Sequence, residues 1–212
     1  MKNEPTADLV NNETLKTIFE RRAVRKYLPA MIDDDLLEKV LDAGRMAPSA
    51  MNEQPWKFYI ATHQDTIAKF SKAIAALIPG IMLKAAVRHP LKTFKTFLHM
   101  PTGTLGSTSG DLVFHGAPVV IFITSSKDNE WAGLDIGMCA QNMMLAARSL
   151  GLDSCPVGLG RYMDQTPVYH ELEVPAGEAV QLAIILGYGA EEPTTKPRAK
   201  HTAIFIDRME CC

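Results

Sequence analysis

Four basic side chains crowd together at Arg21, Arg22, Arg25 and Lys26. Arginine can hold a phosphate through paired N–H donors, so such a cluster could clamp a monophosphate dianion. Arg21 and Arg25 are four apart and share one face if the preceding helix continues through them. The plainer reading is a solvated helix end, where each positive charge contributes about 0.3–1 kcal/mol against the helix dipole. Lys196 and Arg198 add a second basic element from the far end of the chain. The other constellation is Pro48-Ser49-Ala50-Met51-Asn52-Glu53-Gln54-Pro55-Trp56. Pro48 ends a helix, because it lacks an N–H and its ring clashes with the preceding turn. Pro55 keeps Gln54 out of the α region, so the chain should leave extended. Between the prolines lies a stiff loop bearing amide and hydroxyl groups, suited to the polar edge of a flat molecule. On these residues alone the plainer reading, an ordinary helix-to-strand connection capped by Ser49 or Asn52, is favoured.

Other chemistries find less support. Gly187-Tyr188-Gly189 follows a strand, but Glu191, Glu192 and Pro193 come next instead of a helix. Gly158-Leu159-Gly160 lacks a third glycine, so neither fits a dinucleotide-binding turn. Histidines 63, 89, 99, 115, 170 and 201 show no ligand spacing, and no metal site is expected. Ser49 lacks the glycines of a nucleophile elbow. Cys139 and Cys155 read as small buried hydrophobes.

These groups must be positioned by a regular scaffold. Thr14 can cap a first helix carrying Leu15, Ile18 and Phe19, and residues 1–13 read as a loose arm. Asp33 to Asp35 open a second helix with apolar face Leu36, Leu37, Val40 and Leu41. Phe58 to Thr62 reads as a strand. A helix from Asp65 through Leu77 should close at Pro79-Gly80. Residues 81–112 have poor periodicity, and Thr102 to Gly110 reads as a covering loop. Pro118 to Thr124 is a continuous apolar run, hence a buried strand. Asn129 to Leu150 reads as a long helix, apolar nearly all round, which calls for burial on every side and suggests cover from a partner subunit. Within it Gln141 and Asn142 either bond to neighbouring backbone or face a ligand. Ser154 to Gly160 and Gln181 to Leu186 read as strands, with Asp164 capping a short helix near Pro167 to Leu172. Residues 191–212 form an extended tail whose Ile204-Phe205-Ile206 run could dock on another chain. Strands and helices alternate, giving an α/β or α+β class built in layers.

Composition bounds the partners. The 212 residues carry a net charge of −2 and are 47% hydrophobic, which fits one globular domain over residues 14–212. Near-neutral charge argues against a bulk nucleic-acid or membrane-surface binder. No apolar run is expected to reach the ~20 residues that span a bilayer. The polar start and the sparse cysteines point to the cytoplasm.

Arg21-Arg22-Ala23-Val24-Arg25 resembles the Arg-Arg-Ser-Val-Arg opening of the nitroreductase family. Pro48 to Trp56 resembles that family's Pro-Ser-x-x-Asn-x-Gln-Pro-Trp loop. Gly116-Ala117-Pro118, the run Gln141 to Ala147 with Gly151-Leu152, and Gly187-Tyr188-Gly189 followed by Lys196 and Arg198 match further segments in the same order. The resemblance implies an α+β fold, a layered α/β/α sandwich with a central, mostly antiparallel sheet. It implies a homodimer binding FMN at interface sites. Arg21, Arg22, Ala23 and Arg25 would meet the phosphate, ribityl chain and ring edge. Pro48, Ser49, Ala50 and Asn52 would line the cofactor, partly from the partner subunit. Gln141 would reach the ring, Pro156, Val157 and Gly158 would lie along its face, and Arg198 with Lys196 would close on the phosphate. Hydride would pass from NADH or NADPH to flavin N5 and then, in a ping-pong scheme, to a nitroaromatic, quinone or other small acceptor. No catalytic side chain is required. The alternative is an FMN-binding module without turnover, for flavin storage or redox sensing. Ala23 departs from the usual serine, and Val157-Gly158 stands where some members carry Glu-Gly.

Overall fold

The computed structural model describes residues 12–88, 110–195, 198–199, 202, 204 and 206, with the side chains of Ala85 and Arg88 set aside. Lys196, Phe205, residues 1–11 and most of the expected covering segment lie outside the described residues.

The first helix, α1, spans Glu13–Glu20, and its N-cap is Asn12, whose side chain accepts from the Leu15 N–H, instead of Thr14. Asparagine at this position satisfies one of the four free N–H groups of the first turn. Helix α2 spans Asp34–Arg45, capped by Asp33, and buries Leu37, Val40 and Leu41 as its periodicity required. Strand β1 is Lys57–Ala61. Helix α3 runs Gln64–Ala75. Pro79-Gly80 does not close it. After a two-residue turn α4 begins at Ile78 and continues to Arg88, with Pro79 in its first turn, where a missing N–H costs nothing. Together, Gln64–Lys84 is long and apolar enough by composition to cross a bilayer, which corrects the expectation that no stretch approaches that length. Within it, however, Ile67, Phe70 and Ile74 are buried against the protein's own core, and Lys69 pairs with Glu171.

Strand β2 (Val119–Ser126), helix α5 (Ala132–Ser149), strand β3 (Asp153–Val157) and strand β4 (Glu178–Gly187) complete the elements. Gly158-Leu159-Gly160 opens a 3-10 helix, Gly158–Gln165, instead of ending the strand. Asp164 lies inside it, and the following turn at Tyr169–Leu172 has no side-chain cap. The sheet order is β1-β2-β4-β3, antiparallel throughout. The fold is therefore α+β.

Alternation along β2 explains the layers. Successive strand residues point to opposite faces. Val119, Ile121 and Ile123 join α2, α5 and Trp56 in one cluster, whereas Val120 and Phe122 join α3, Val113 and Phe114 in another. Both faces are covered, so the strand reads as one apolar run. Edge-to-face contacts of Phe122 with Phe70 (5.9 Å) and Phe114 (5.7 Å) fill the second layer. Helix α5 buries Ile136, Cys139, Ala140, Met143, Met144 and Ala147 but leaves Leu134 58% exposed. The chain alone covers one side of this helix, not all of it.

Candidate functional site

Helix α1 ends at Glu20, with Arg21 as its C-cap. The helix does not persist, so Arg21 and Arg25 do not share a helical face as expected. The segment instead runs extended beside β3. The Val24 N–H donates to the Ser154 carbonyl (3.1 Å), and Ala23 bridges Ser154 in parallel. Further on, Leu28 N–H meets the Tyr188 carbonyl (2.8 Å), Ala190 N–H meets Lys26 (2.8 Å), and Arg25 N–H meets Glu191 Oε1 (2.6 Å). Tyr27 donates its hydroxyl to the Val24 carbonyl (2.7 Å). Burial, then the negative character of Cys155 and Asp153, pushes that phenol far above its ordinary range, so it stays neutral. A Cβ on Gly187 would stand 2.6 Å from the Tyr27 ring, so only glycine admits this packing.

The two arginines still lie on one extended segment beside β3. Burial raises the Cys155 thiol, and the positive charges of Arg25 and Arg21 oppose that rise. Arg21 Nη1 is buried and has no hydrogen-bond partner among the described residues. A buried cationic donor without a partner is costly, on the order of 1–3 kcal/mol or more. Arg22 turns away, donating to the Phe19 and Arg21 carbonyls (2.6 and 2.7 Å), and so closes the end of α1. His115 lies near Arg25. Its imidazole sits below the ordinary histidine range, chiefly through burial and then through the Arg25 charge.

The loop after α2 is strained. Met51, Asn52 and Gln54 adopt φ of +50°, +56° and +48°. Gln54 thus avoids the right-handed α region before Pro55 but is left-handed instead of extended, because its N–H turns back to Ser49 Oγ (2.9 Å). Left-handed backbone costs L-residues about 1–2 kcal/mol, least for asparagine. Internal bonds hold the shape: Asn52 N–H to Ser49 (3.1 Å), Glu53 N–H to Ala50 (3.0 Å), and Gln54 Nε2 to Asn52 Oδ1 (3.3 Å). Ser49 caps no helix with its side chain. Pro48 and Asn52 are exposed, and Met51 is 94% exposed. Ala50 donates its N–H to Asp135 Oδ1 (3.1 Å), in the first turn of α5.

Of the α5 amides, Asn142 Nδ2 bonds to the Ala43 carbonyl (3.2 Å), whereas Gln141 is half-buried with no hydrogen bond among the described residues. Pro156 and Gly158 are exposed and Val157 is buried. A Cβ on Gly158 would meet nothing within 4 Å, so open space lies against this edge. Arg198 is exposed, with no ion pair among the described residues.

The site residues fall into two groups. The arginine segment and the start of β3 sit at the C-terminal end of α5, where Arg148 reaches Glu20 (3.4 Å) and Asp153 (3.5 Å), and Pro156–Gly158 follow further along that strand. The Pro48–Asn52 loop sits at the N-terminal end, on Asp135. From Asp135 to Arg148 a helix rises about 20 Å. One chain does not bring the two groups together. Sequence reasoning assigned no site role to Asp135, Glu191 or Tyr27. An acid in the first turn of an otherwise apolar helix was the available signal for Asp135.

Residues 18–188 match the Nitroreductase family, and the chain belongs to that family. Among its relatives are 4-nitrobenzoate reductase of Pseudomonas putida, 28% identical over 211 residues (88% of this chain, 89% of that protein), and nitrobenzene nitroreductase of Ectopseudomonas oleovorans, 28% identical over 206 residues (87% and 88%). The crystal structure of a nitroreductase with bound FMN from Bacteroides fragilis superposes with a TM-score of 0.68 at 26% identity, covering 93% of this chain and all of that one. A nitroreductase from Desulfitobacterium hafniense, at 24% identity and a TM-score of 0.71, covers 92% and 99% and supports the fold.

Proposed function

We propose that the protein is an FMN-dependent oxidoreductase that takes hydride from NADH or NADPH and passes electrons to a small acceptor such as a nitroaromatic or a quinone. Arg21 carries the reading. Its Nη1 is buried without a partner among the described residues, on the segment beside β3 that also carries Arg25. Two cationic groups on one segment fit the phosphate and ring edge of a flavin mononucleotide. Arg21, with Arg198 and Lys196, would hold the phosphate. Arg25 would supply positive charge at the pyrimidine edge of the ring, where negative charge develops on reduction. Pro156, Val157 and Gly158 would offer backbone along one face. When bound, FMN supplies the two-electron chemistry, and the side chains bind, orient and exclude water.

The working unit is a homodimer. Pro48, Ser49, Ala50, Asn52 and Gln141 would complete the partner's cofactor site, since within one chain the loop stands at the far end of α5 from Arg21. The exposed side of α5, with Leu134, and the exposed Ile204 and Ile206 of the tail supply apolar surface for that assembly. Residues 14–212 would act as one domain, in the cytoplasm. The named activities of the relatives, on 4-nitrobenzoate and nitrobenzene, support an aromatic nitro acceptor.

The test is the colour of the protein purified with FMN. The flavin's visible band should bleach on anaerobic addition of NADH or NADPH and return with a nitroaromatic. A yellow protein that neither coenzyme bleaches would leave only flavin binding, and a protein that takes up no FMN would end both readings.

A further inference from the structure

We propose that Asp135 is a positioning residue that holds the strained Ser49–Gln54 loop in register for the flavin. The inference rests on the FMN reading above. Asp135 is fully buried, at 0% exposure. Its Oδ1 accepts the Ala50 N–H at 3.1 Å, and its Oδ2 has no hydrogen-bond partner among the described residues. It lies in the first turn of α5, where the helix dipole favours an acceptor of negative character. The other hydrogen bonds of the loop run between its own members, Ser49 with Asn52 and Gln54, Ala50 with Glu53, and Asn52 with Gln54. Those bonds fix its internal shape but not its place on the protein.

Strain makes the tether matter. Three left-handed residues without glycine persist only where surroundings over-determine them. Ala50 is followed directly by Met51, the first of the three. Releasing the Ala50 N–H therefore frees the loop to relax toward right-handed or extended backbone. Asn52 would then leave the position from which it could meet a flavin. The cost of burying a carboxyl with one oxygen unpartnered is retained because the other oxygen sets this geometry.

The experiment compares Asp135→Ala, Asp135→Asn and Ala50→Pro. Asparagine keeps an acceptor for the Ala50 N–H. Proline removes that N–H from the donor side, and the extended Ser49 (φ −142°, ψ 155°) already suits a residue before proline. Asp135→Ala and Ala50→Pro should each weaken FMN binding, read by flavin fluorescence, at least about tenfold, and their combination should add little. Asp135→Asn should stay within about threefold of the parent. In the apo-protein, a glutamate-specific protease should cut after Glu53 faster in both disrupting variants and at the parental rate in Asp135→Asn.

Unchanged FMN affinity and unchanged cleavage in Asp135→Ala and Ala50→Pro would overturn the proposal. So would an Asp135→Asn variant as weak as alanine. If Asp135→Ala does not fold, Ala50→Pro with Asp135 intact carries the decision. If the parent protein takes up no FMN, the FMN reading fails, and the cleavage rates alone still decide whether Asp135 holds the loop.

Discussion

At the C-terminal end of α5 the segment Arg21–Leu28 is pinned by backbone bonds to Ser154 and Tyr188, by Glu191 and by the Tyr27 hydroxyl. At the N-terminal end the Ser49–Gln54 loop bonds mainly to itself and holds three left-handed residues. The first region is built into the protomer's own sheet layer, so its geometry is set when the chain folds. The second projects Met51 and Asn52 into solvent and stores strain. A region finished within one chain can present a fixed cationic edge, whereas the exposed loop rests on its own internal bonds and one tie to Asp135. The difference suits the proposed homodimer, in which a second surface, from the partner's α5, would complete the site.

The largest expected effect follows from removing that second surface. Leu134→Arg places a charge on the exposed face of α5, and desolvating it in a packed interface is prohibitive. The variant should sediment as a folded monomer and take up no FMN. A monomer with undiminished flavin affinity would show that the two halves do not need each other. A smaller loss is expected from the cationic residues of the proposed phosphate clamp. Arg21→Ala or Arg198→Ala should weaken FMN binding by about 1.5–3 kcal/mol, the scale of a hydrogen bond to a charged group, in isothermal titration. Unchanged affinity in both would remove the phosphate clamp from the pinned region.

The smallest effect concerns pH. Burial and Arg25 hold His115 below its ordinary range. The unfolded chain therefore binds this proton first as pH falls below about 6.5, so this contribution to stability is present above that pH and declines below it. Thermal midpoints of the apo-protein should fall from pH 7 to pH 5. His115→Asn, which tolerates the local φ of +57°, should flatten that slope. An identical slope in the variant would show that the pinned region carries no such proton linkage.

Much of the scaffold was legible because its signals are local. Asp33 and the Leu37, Val40, Leu41 stripe announced α2, and the apolar run at Val119 to Ile123 announced a strand buried on both faces. Boundaries slipped where one signal had two local readings or where a tertiary contact outweighed local preference. Pro79-Gly80 read as a stop but lies in the first turn of a new helix. Gly158-Leu159-Gly160 read as a strand end, yet Gly160 is glycine because a Cβ there would stand 2.4 Å from the Ala183 Cβ. The candidate residues themselves were legible as motifs, and Arg21, Ala23 and Arg25 do lie together along β3. Asp135 and Glu191 were not legible as partners, since hydrogen bonds across 85 and 166 residues leave no periodic trace.

Sequence by itself determined a layered α/β or α+β class and the two stretches that carry polar and cationic groups, and its motifs carried the family resemblance that implied an antiparallel sheet. The first two follow from residue type and short-range spacing, which chemistry reads directly. Tertiary structure decided where the stretches go. It ended α1 at Glu20, laid Arg21 to Arg25 along β3, and seated the Pro48 loop on the opposite end of α5. The physical reason is that register and distance depend on which backbone groups find partners far along the chain, and only the folded protein makes those pairings.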